Sequence, residues 1–210
     1  DASAQDRLGL LRGRYRRLLA IAAGVIVKSR PMADTLLSLG AQSDRLLISP
    51  SGANSDLFYG SAPAQTPPRL LAVGRFVAKK GPLQTIRSFD LLCRSLGPEM
   101  PQPSLWMVGD GPLLKQARAL VRDLALQECV RFLGVRSQAQ VADLMRQVRG
   151  FVQHSMVAPD GDSEGNPVAV MEAQLSGFPV VATRHAGIPE VVLDGQTGLL
   201  VEEGDAVSYT

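Results

Sequence analysis

Little in this chain points to a disulfide scaffold, a membrane span or a nucleic-acid partner. Its 210 residues include only two cysteines, Cys93 and Cys129, both in apolar stretches. That is too few for a disulfide framework or a cysteine metal cluster, and it fits a reducing cytoplasm. No apolar run reaches the roughly 18 residues of a membrane span; the longest, Leu18 to Val27, is about half that. No signal peptide with a cleavage site, repeat or low-complexity tract is evident. The net charge of +2 is too small to argue for nucleic acid. An initiator Met is also missing, and Gly204 to Thr210 reads as a loop entering a helix. The sequence is therefore expected to be a piece of a longer protein.

What is present is a chain with enough apolar residues, 45%, for a substantial core in one large or two small domains. Its charge is uneven. Residues 1–30 carry seven Lys or Arg against Asp1 and Asp6, a local +5, so the rest sums to −3. Residues 7–23 read as a helix with leucines spaced among arginines. A short apolar strand follows at Val25–Val27, then a helix over 31–39 and a strand at Leu46–Ile48. Residues 61–68, small and Pro-rich, read as a linker.

Beyond the linker a regular alternation begins. Strands are predicted at Leu70–Val73, Ser104–Val108, Val130–Leu133, Gly150–Gln153, Val180–Ala182 and Leu199–Val201. Helices are predicted over 82–96, 112–126, 138–147, 167–176 and 188–193. This is the pattern of an α/β, doubly wound parallel sheet. Ligands of such sheets bind beyond the carboxyl ends of the strands. Gly74-Arg75, Gly109-Asp110-Gly111, Arg136, Glu164 and Thr183–Gly187 all fall at that one edge.

The densest chemical signal is Glu164-Gly165-Asn166-Pro167-Val168-Ala169-Val170-Met171-Glu172. Pro167 suits a first helical position and Gly177 a helix end. Glu164 then precedes a helix start, and Glu172 lies about a turn and a half into the helix. A helix start is a site for an anion such as a diphosphate. Carboxylates flanking it suit sugar hydroxyls, so the spacing suggests a nucleotide sugar. Taken alone, the two are equally accounted for as ordinary helix-start and helix-face acids. Gly74-Arg75-Phe76-Val77-Ala78-Lys79-Lys80-Gly81 adds a basic loop. There the Arg75 fork and the Lys80 point charge suit phosphate oxygens.

Together these residues resemble the family 4 glycosyltransferases, the large retaining group with the GT-B fold of two facing Rossmann-like domains. The matching strings are LLAVGRFVAKKG (70–81), WMVGDGP (106–112), VRFLG (130–134), EGNPVAVMEAQLSGFPVVAT (164–183) and GIPEVVLDGQTGLLV (187–201). The stretch 25–58 looks like the end of that family's N-terminal domain. The resemblance implies three segments. Residues 1–60 would close the N-terminal, acceptor-side domain, 61–68 would link, and 69–210 would form a nucleotide-sugar-binding domain incomplete at its C-terminus. It also implies a retaining transfer from a nucleotide-diphosphate sugar to a saccharide or lipid-linked acceptor in cell-surface or exopolysaccharide synthesis. Neither metal nor other cofactor is implied. The loop HSMVAPDGDSEGNP (154–167) is similar to colanic-acid and exopolysaccharide transferases.

By the same resemblance, Arg75 and Lys80 bind the diphosphate and stabilise the leaving group, with Gly74 beside them. Glu172 takes the ribose diol and Glu164 the transferred sugar. Backbone of Gly165, Asn166 and Val168 meets the phosphates, and backbone at Arg136 meets the base. The acceptor wall is expected on the absent domain, leaving this segment inactive alone. Alternatives are a non-catalytic nucleotide-sugar-binding domain, or an epimerase or phosphorylase-like enzyme on the same fold.

Arg7–Arg17 reads either as a solvated helix face or as a peripheral contact with anionic lipid at the inner face of the membrane. Asp160-Gly161-Asp162 is a DxD string, which in another glycosyltransferase fold would hold a metal-bound diphosphate. In this loop it reads as a turn. It also begins like a calcium loop, but position twelve is Met171. His154 and His185 are isolated in sequence and read as structural or loop residues. Trp106 and Cys93 read as core.

Overall fold

The computed structural model describes residues 2–207, with side chains from Leu11 onward. The side chain of Arg7 and the chain's last residues, Ser208–Thr210, lie outside the described residues. The chain opens with helix α1 (Ala2–Ile21), strand β1 (Val25–Val27), helix α2 (Arg30–Ser38) and strand β2 (Leu46–Ile48). β1 and β2 pair in parallel with Ile26 opposite Leu47. Both of those side chains are exposed, although parallel sheet is normally covered on both faces. The described part of α1, from Leu11 onward, is also largely uncovered. Leu19 is buried, whereas Leu11, Tyr15, Leu18 and Arg12, Arg14, Arg16 and Arg17 are exposed.

The larger unit contains β3 (Arg69–Val73), α3 (Pro82–Ser95), β4 (Ser104–Val108), α4 (Leu114–Asp123) and β5 (Val130–Gly134). It continues with α5 (Gln138–Met145), β6 (Gly150–Gln153), α6 (Val168–Leu175), β7 (Val180–Thr183) and β8 (Gly198–Val201). Its six strands run in the order β5-β4-β3-β6-β7-β8, all parallel. The strand residues alternate by face, as a pleat requires. Leu71, Val108, Phe151, Val180 and Ala182 join one core with Val141 and Met145 of α5 and Val170 and Ala173 of α6. Leu105, Met107 and Val152 face the other way, against Ile86 and Phe89 of α3 and Ala117 and Val121 of α4. The sheet is thus sandwiched by helices, the doubly wound arrangement expected. Phe58, fully buried, also enters the first core, just before the Pro-rich segment.

Several helix bounds differ from the sequence reading; α4, for example, spans Leu114–Asp123 where 112–126 is predicted. The helix expected over 188–193 is a single 3-10 turn, Ile188–Glu190. The Leu193 N–H is instead taken by Thr197 Oγ1 at 2.9 Å, in a turn that Gly195 completes with φ 73°. Pro167 lies just before α6, not inside it, with φ −85° and ψ 74°. It centres a γ-turn in which the Val168 N–H donates to Asn166 O at 3.1 Å.

The order of strands decides where a ligand goes. The chain winds outward from β3 through β4 to β5, then crosses back to lay β6 on the other side of β3. That crossover is the switch point at which ligands of open α/β sheets sit. The loops leaving β3 and β6 carry Arg75, Lys80 and Glu164.

Candidate functional site

The loop after β3 is held by glycines at close approaches. A Cβ on Gly109 would lie 2.0 Å from Gly74 O, so only glycine lets the ends of β3 and β4 meet. Phe76 N–H then donates to Asp110 O, and Leu113 N–H to Phe76 O. Lys80 ends a 3-10 turn, Ala78–Lys80, and Gly81 follows in the left-handed region at φ 50°. A Cβ at Gly81 would sit 2.0 Å from His154 O. Gly81→Ala should therefore destabilise the protein by more than the roughly 1–3 kcal/mol of ordinary overpacking. Urea denaturation of the purified variant measures this; a loss under 1 kcal/mol would contradict the packing.

Lys80 is turned inward. Its Nζ makes direct ion-pair contact with Glu164 Oε2, and both side chains are mostly buried. Glu164, at 9% exposure, is among the few buried acids of the described residues. Arg75 is exposed and makes no side-chain hydrogen bond or ion pair among the described residues. The neighbouring Lys79 was not singled out from sequence, yet it fastens the two loops together. Its Nζ donates to Asp162 Oδ1 at 2.9 Å and to Ser163 O at 3.2 Å. The hydrogen bond from Lys79 holds the Asp162 carboxyl below its ordinary range. Asp160 Oδ1 accepts the Asp162 N–H at 3.1 Å, so the DxD string forms a turn with Gly161 at φ 82°.

Glu172 rises from α6 and is also buried. Gln138, at the start of α5, donates from Nε2 to Glu172 Oε1 at 3.0 Å. Burial pushes the Glu172 carboxyl pKa up, against the smaller opposing effect of Gln138. A carboxyl whose pKa is raised on folding favours the folded state most where it is protonated. That contribution fades as pH rises through the folded pKa. Glu172→Gln should therefore raise the melting temperature of the unliganded protein at neutral pH, with the gain vanishing in acid. Scanning calorimetry at two pH values tests this, and an unchanged or lower melting temperature at neutral pH would refute it.

Asn166 is half-buried and spent on structure, since its Oδ1 accepts the Ser51 N–H at 3.1 Å. The γ-turn at Pro167 occupies the Val168 N–H. The Ala169 N–H is the one in that first turn with no acceptor among the described residues. Glu164 and Gly165 line one wall of a cleft whose other wall is α2, through Pro31, Met32, Thr35 and Leu36. The Arg136 side chain is exposed and turned back to its own backbone, donating to Val135 O at 3.2 Å. At the start of α2 the Arg30 N–H donates to Glu190 Oε1 at 2.7 Å.

The two histidines are isolated in sequence only. His154 Nε2 accepts the Gly204 N–H at 3.0 Å. His185, 2% exposed, accepts the Glu164 N–H on Nε2 at 3.0 Å and lies 3.1 Å from Ser163 Oγ. No local signal marked these contacts, because their partners are 50 and 21 residues away.

The mixed α/β fold with its six-stranded parallel sheet matches that of GT-B type glycosyltransferases, of which this chain is a part. Residues 56–210 match the family described as glycosyl transferases group 1. The chain belongs to that family. It is 31% identical over 194 residues to the amylovoran biosynthesis glycosyltransferase AmsK of Erwinia amylovora, covering 91% of this chain and 47% of that one. It is also 31% identical over 209 residues to the putative colanic acid biosynthesis glycosyltransferase WcaL of Escherichia coli, covering 98% and 50%. The chain thus spans about half the length of the curated relatives it matches. Among solved structures it superposes on a sucrose-phosphate synthase of Thermosynechococcus elongatus with TM-score 0.75 and 27% identity, covering 91% and 48%. It also superposes on Anabaena HepE in complex with UDP and glucose, with TM-score 0.74 and 21% identity, covering 98% and 54%. No helix among the described residues is long and apolar enough to cross a membrane.

Proposed function

We propose that this chain is the donor-binding half of a retaining glycosyltransferase that uses a nucleotide-diphosphate sugar and a saccharide or lipid-linked acceptor. The pathway we favour is assembly of a cell-surface or exopolysaccharide, in keeping with the names of its relatives. The observation that carries the reading is the convergence at the sheet's switch point. Lys80, turned inward beside the exposed Arg75, pairs with the buried Glu164 just before α6, and a second buried glutamate, Glu172, lies on α6 itself. In this reading residues 1–60 end the acceptor-side domain, 61–68 link, and 69–210 hold the donor. Gly74, Gly165, Asn166 and Val168 shape the phosphate cradle, and Arg136 marks the base end. The cleft between Glu164 and α2 receives the acceptor. We place the enzyme in the cytoplasm at the inner face of the membrane, with the exposed arginines of α1 toward anionic lipid.

The bond from the sugar's anomeric carbon to the diphosphate breaks, and its electron pair leaves on the diphosphate oxygen. The acceptor oxygen bonds to the same face of that carbon, and the acceptor proton passes to the departing diphosphate. Arg75 and Lys80 neutralise the charge that develops, which is the chief form of catalysis this chain can supply. The buried glutamates accept hydrogen bonds from sugar and ribose hydroxyls.

Because cationic side chains carry that role, turnover should need no divalent metal. The test incubates the full-length protein with UDP- and GDP-sugars in EDTA and follows release of nucleoside diphosphate. Retained turnover, with an α-linked product from an α-linked donor, is expected. Loss in EDTA with rescue by manganese would return the metal role to Asp160 and Asp162. A β-linked product would refute retention.

A further inference from the structure

We propose that His185 is a positioning residue for Glu164, and that Glu203 fixes the protonation form in which it works. The inference rests on the proposed role of Glu164 at the transferred sugar. Its evidence is a chain of contacts, buried at His185 and Glu164 and reaching the surface at Glu203, that joins the end of β8 to the loop before α6. A backbone N–H can only donate, so the Glu164 N–H at 3.0 Å requires a bare, accepting Nε2 on His185. The ring proton must then be on Nδ1, where Glu203 Oε1 accepts it at 2.5 Å. Glu203 is itself anchored, because its Oε2 accepts the Val157 N–H at 3.0 Å. Burial alone would raise the Glu203 carboxyl pKa, but the hydrogen bonds from His185 and Val157, together with the nearby histidines, hold it below its usual range. It therefore stays an acceptor for Nδ1–H.

Other constraints act on the residues that flank Glu164. Ser163 Oγ lies 3.1 Å from Nε2, and Lys79 holds Ser163 O and Asp162. Gly187 lets the chain after β7 press against this loop, since a Cβ there would come 2.9 Å from Gly165 O. The Glu164 backbone is thus pinned by His185 while its carboxylate is pinned by Lys80. Without the histidine acceptor, the Glu164 N–H would be buried without a partner and the loop would shift to find one. Misplacement by about 1 Å is enough to cost around 100-fold in rate. His185 touches no reacting atom in this scheme, and its effect passes through Glu164.

The test uses the full-length protein in three measurements. In a two-bond nitrogen–proton spectrum with labelled histidine, the resonance lost in His185→Gln identifies this ring. It should carry its proton on Nδ1; a proton on Nε2 would overturn the proposal without reference to any substrate. Donor hydrolysis or transfer is then followed with whichever UDP- or GDP-sugar the enzyme turns over, beside calorimetry with UDP and GDP. His185→Leu should lower kcat about 100-fold while changing nucleoside diphosphate affinity less than about twofold. His185→Gln, whose Oε1 can accept the same N–H, should recover most of kcat. Should His185→Leu not fold, Glu203→Ala serves instead, with a smaller fall in kcat and loss of the Nδ1–H form. If Glu164→Ala abolishes transfer but a folded His185→Leu keeps wild-type kcat, the positioning role is refuted and the reading of Glu164 stands. If Glu164→Ala itself keeps full transfer, that reading falls first.

Discussion

Glu164→Ala in the full-length enzyme should lower transfer by roughly 100- to 1000-fold, the scale of losing one preorganised transition-state contact. Its affinity for the free nucleoside diphosphate should hold or rise. The reason is the ion pair: without the carboxylate, Lys80 loses the anion that occupies it and becomes available to a phosphate. A contact made at the reacting sugar counts most in the transition state, so the loss should appear in kcat more than in binding. Glu172→Ala should behave differently. The ribose is present in both nucleoside diphosphate and nucleotide sugar, so both should bind more weakly. A hydrogen bond to a charged group is worth about 1.5–3 kcal/mol. Calorimetry with both ligands on both folded variants, alongside turnover, separates the roles. If Glu164→Ala abolished diphosphate binding and Glu172→Ala did not, the ligand would lie the other way across the start of α6.

The second large effect belongs to the cations. On the proposed role, Lys80→Ala loses a phosphate contact, and it strands a buried carboxylate, so it should weaken nucleotide binding roughly ten- to a hundredfold and reduce stability as well. Breaking a fully buried pair costs about 3–5 kcal/mol. The cost here should be smaller, because the side chains of Lys80 and Glu164 retain 18% and 10% exposure. Arg75 has no partner to strand. Arg75→Ala should weaken nucleotide binding by a similar factor and leave the denaturation midpoint unchanged. Unchanged affinity for UDP and GDP in both variants would move the phosphate site elsewhere. An unstable Arg75→Ala would mean that its exposed guanidinium supports the fold.

The lysine and arginine differ in kind although five residues apart on one loop. The 3-10 turn ended by Gly81 rotates Lys80 inward, over Gly74, where a Cβ would already lie 3.4 Å from Lys80 Cδ. Arg75, just past β3, remains exposed. Nothing in the string GRFVAKKG distinguishes the two orientations. Nor does it indicate that Lys79, not Lys80, ties the loop to Asp162.

The sequence by itself determined the α/β alternation, the six strands to within a residue at each end, and the edge of the sheet on which the polar clusters gather. These follow from local signals: short apolar runs for buried parallel strands, and glycines and polar residues where the chain turns. Strand order, helix ends and pairings are another matter. The reversal between β3 and β6 sets the switch point, and only the assembled sheet has it. Pro167 suited a first helical turn on propensity, but its γ-turn, beside an Asn166 bonded to Ser51, starts α6 one residue later. The contacts that hold Glu172 and the loops around Glu164 join residues far apart in sequence. Lys79 and Asp162 are separated by 83 positions, Gln138 and Glu172 by 34, and His185 and Glu203 by 18. Glu172 is buried, where a polar atom must find a partner or bear the cost of lost water. Asp162 and Glu203 stay at the surface, and their partners reach them only because the assembled sheet sets the loops at its carboxyl edge side by side.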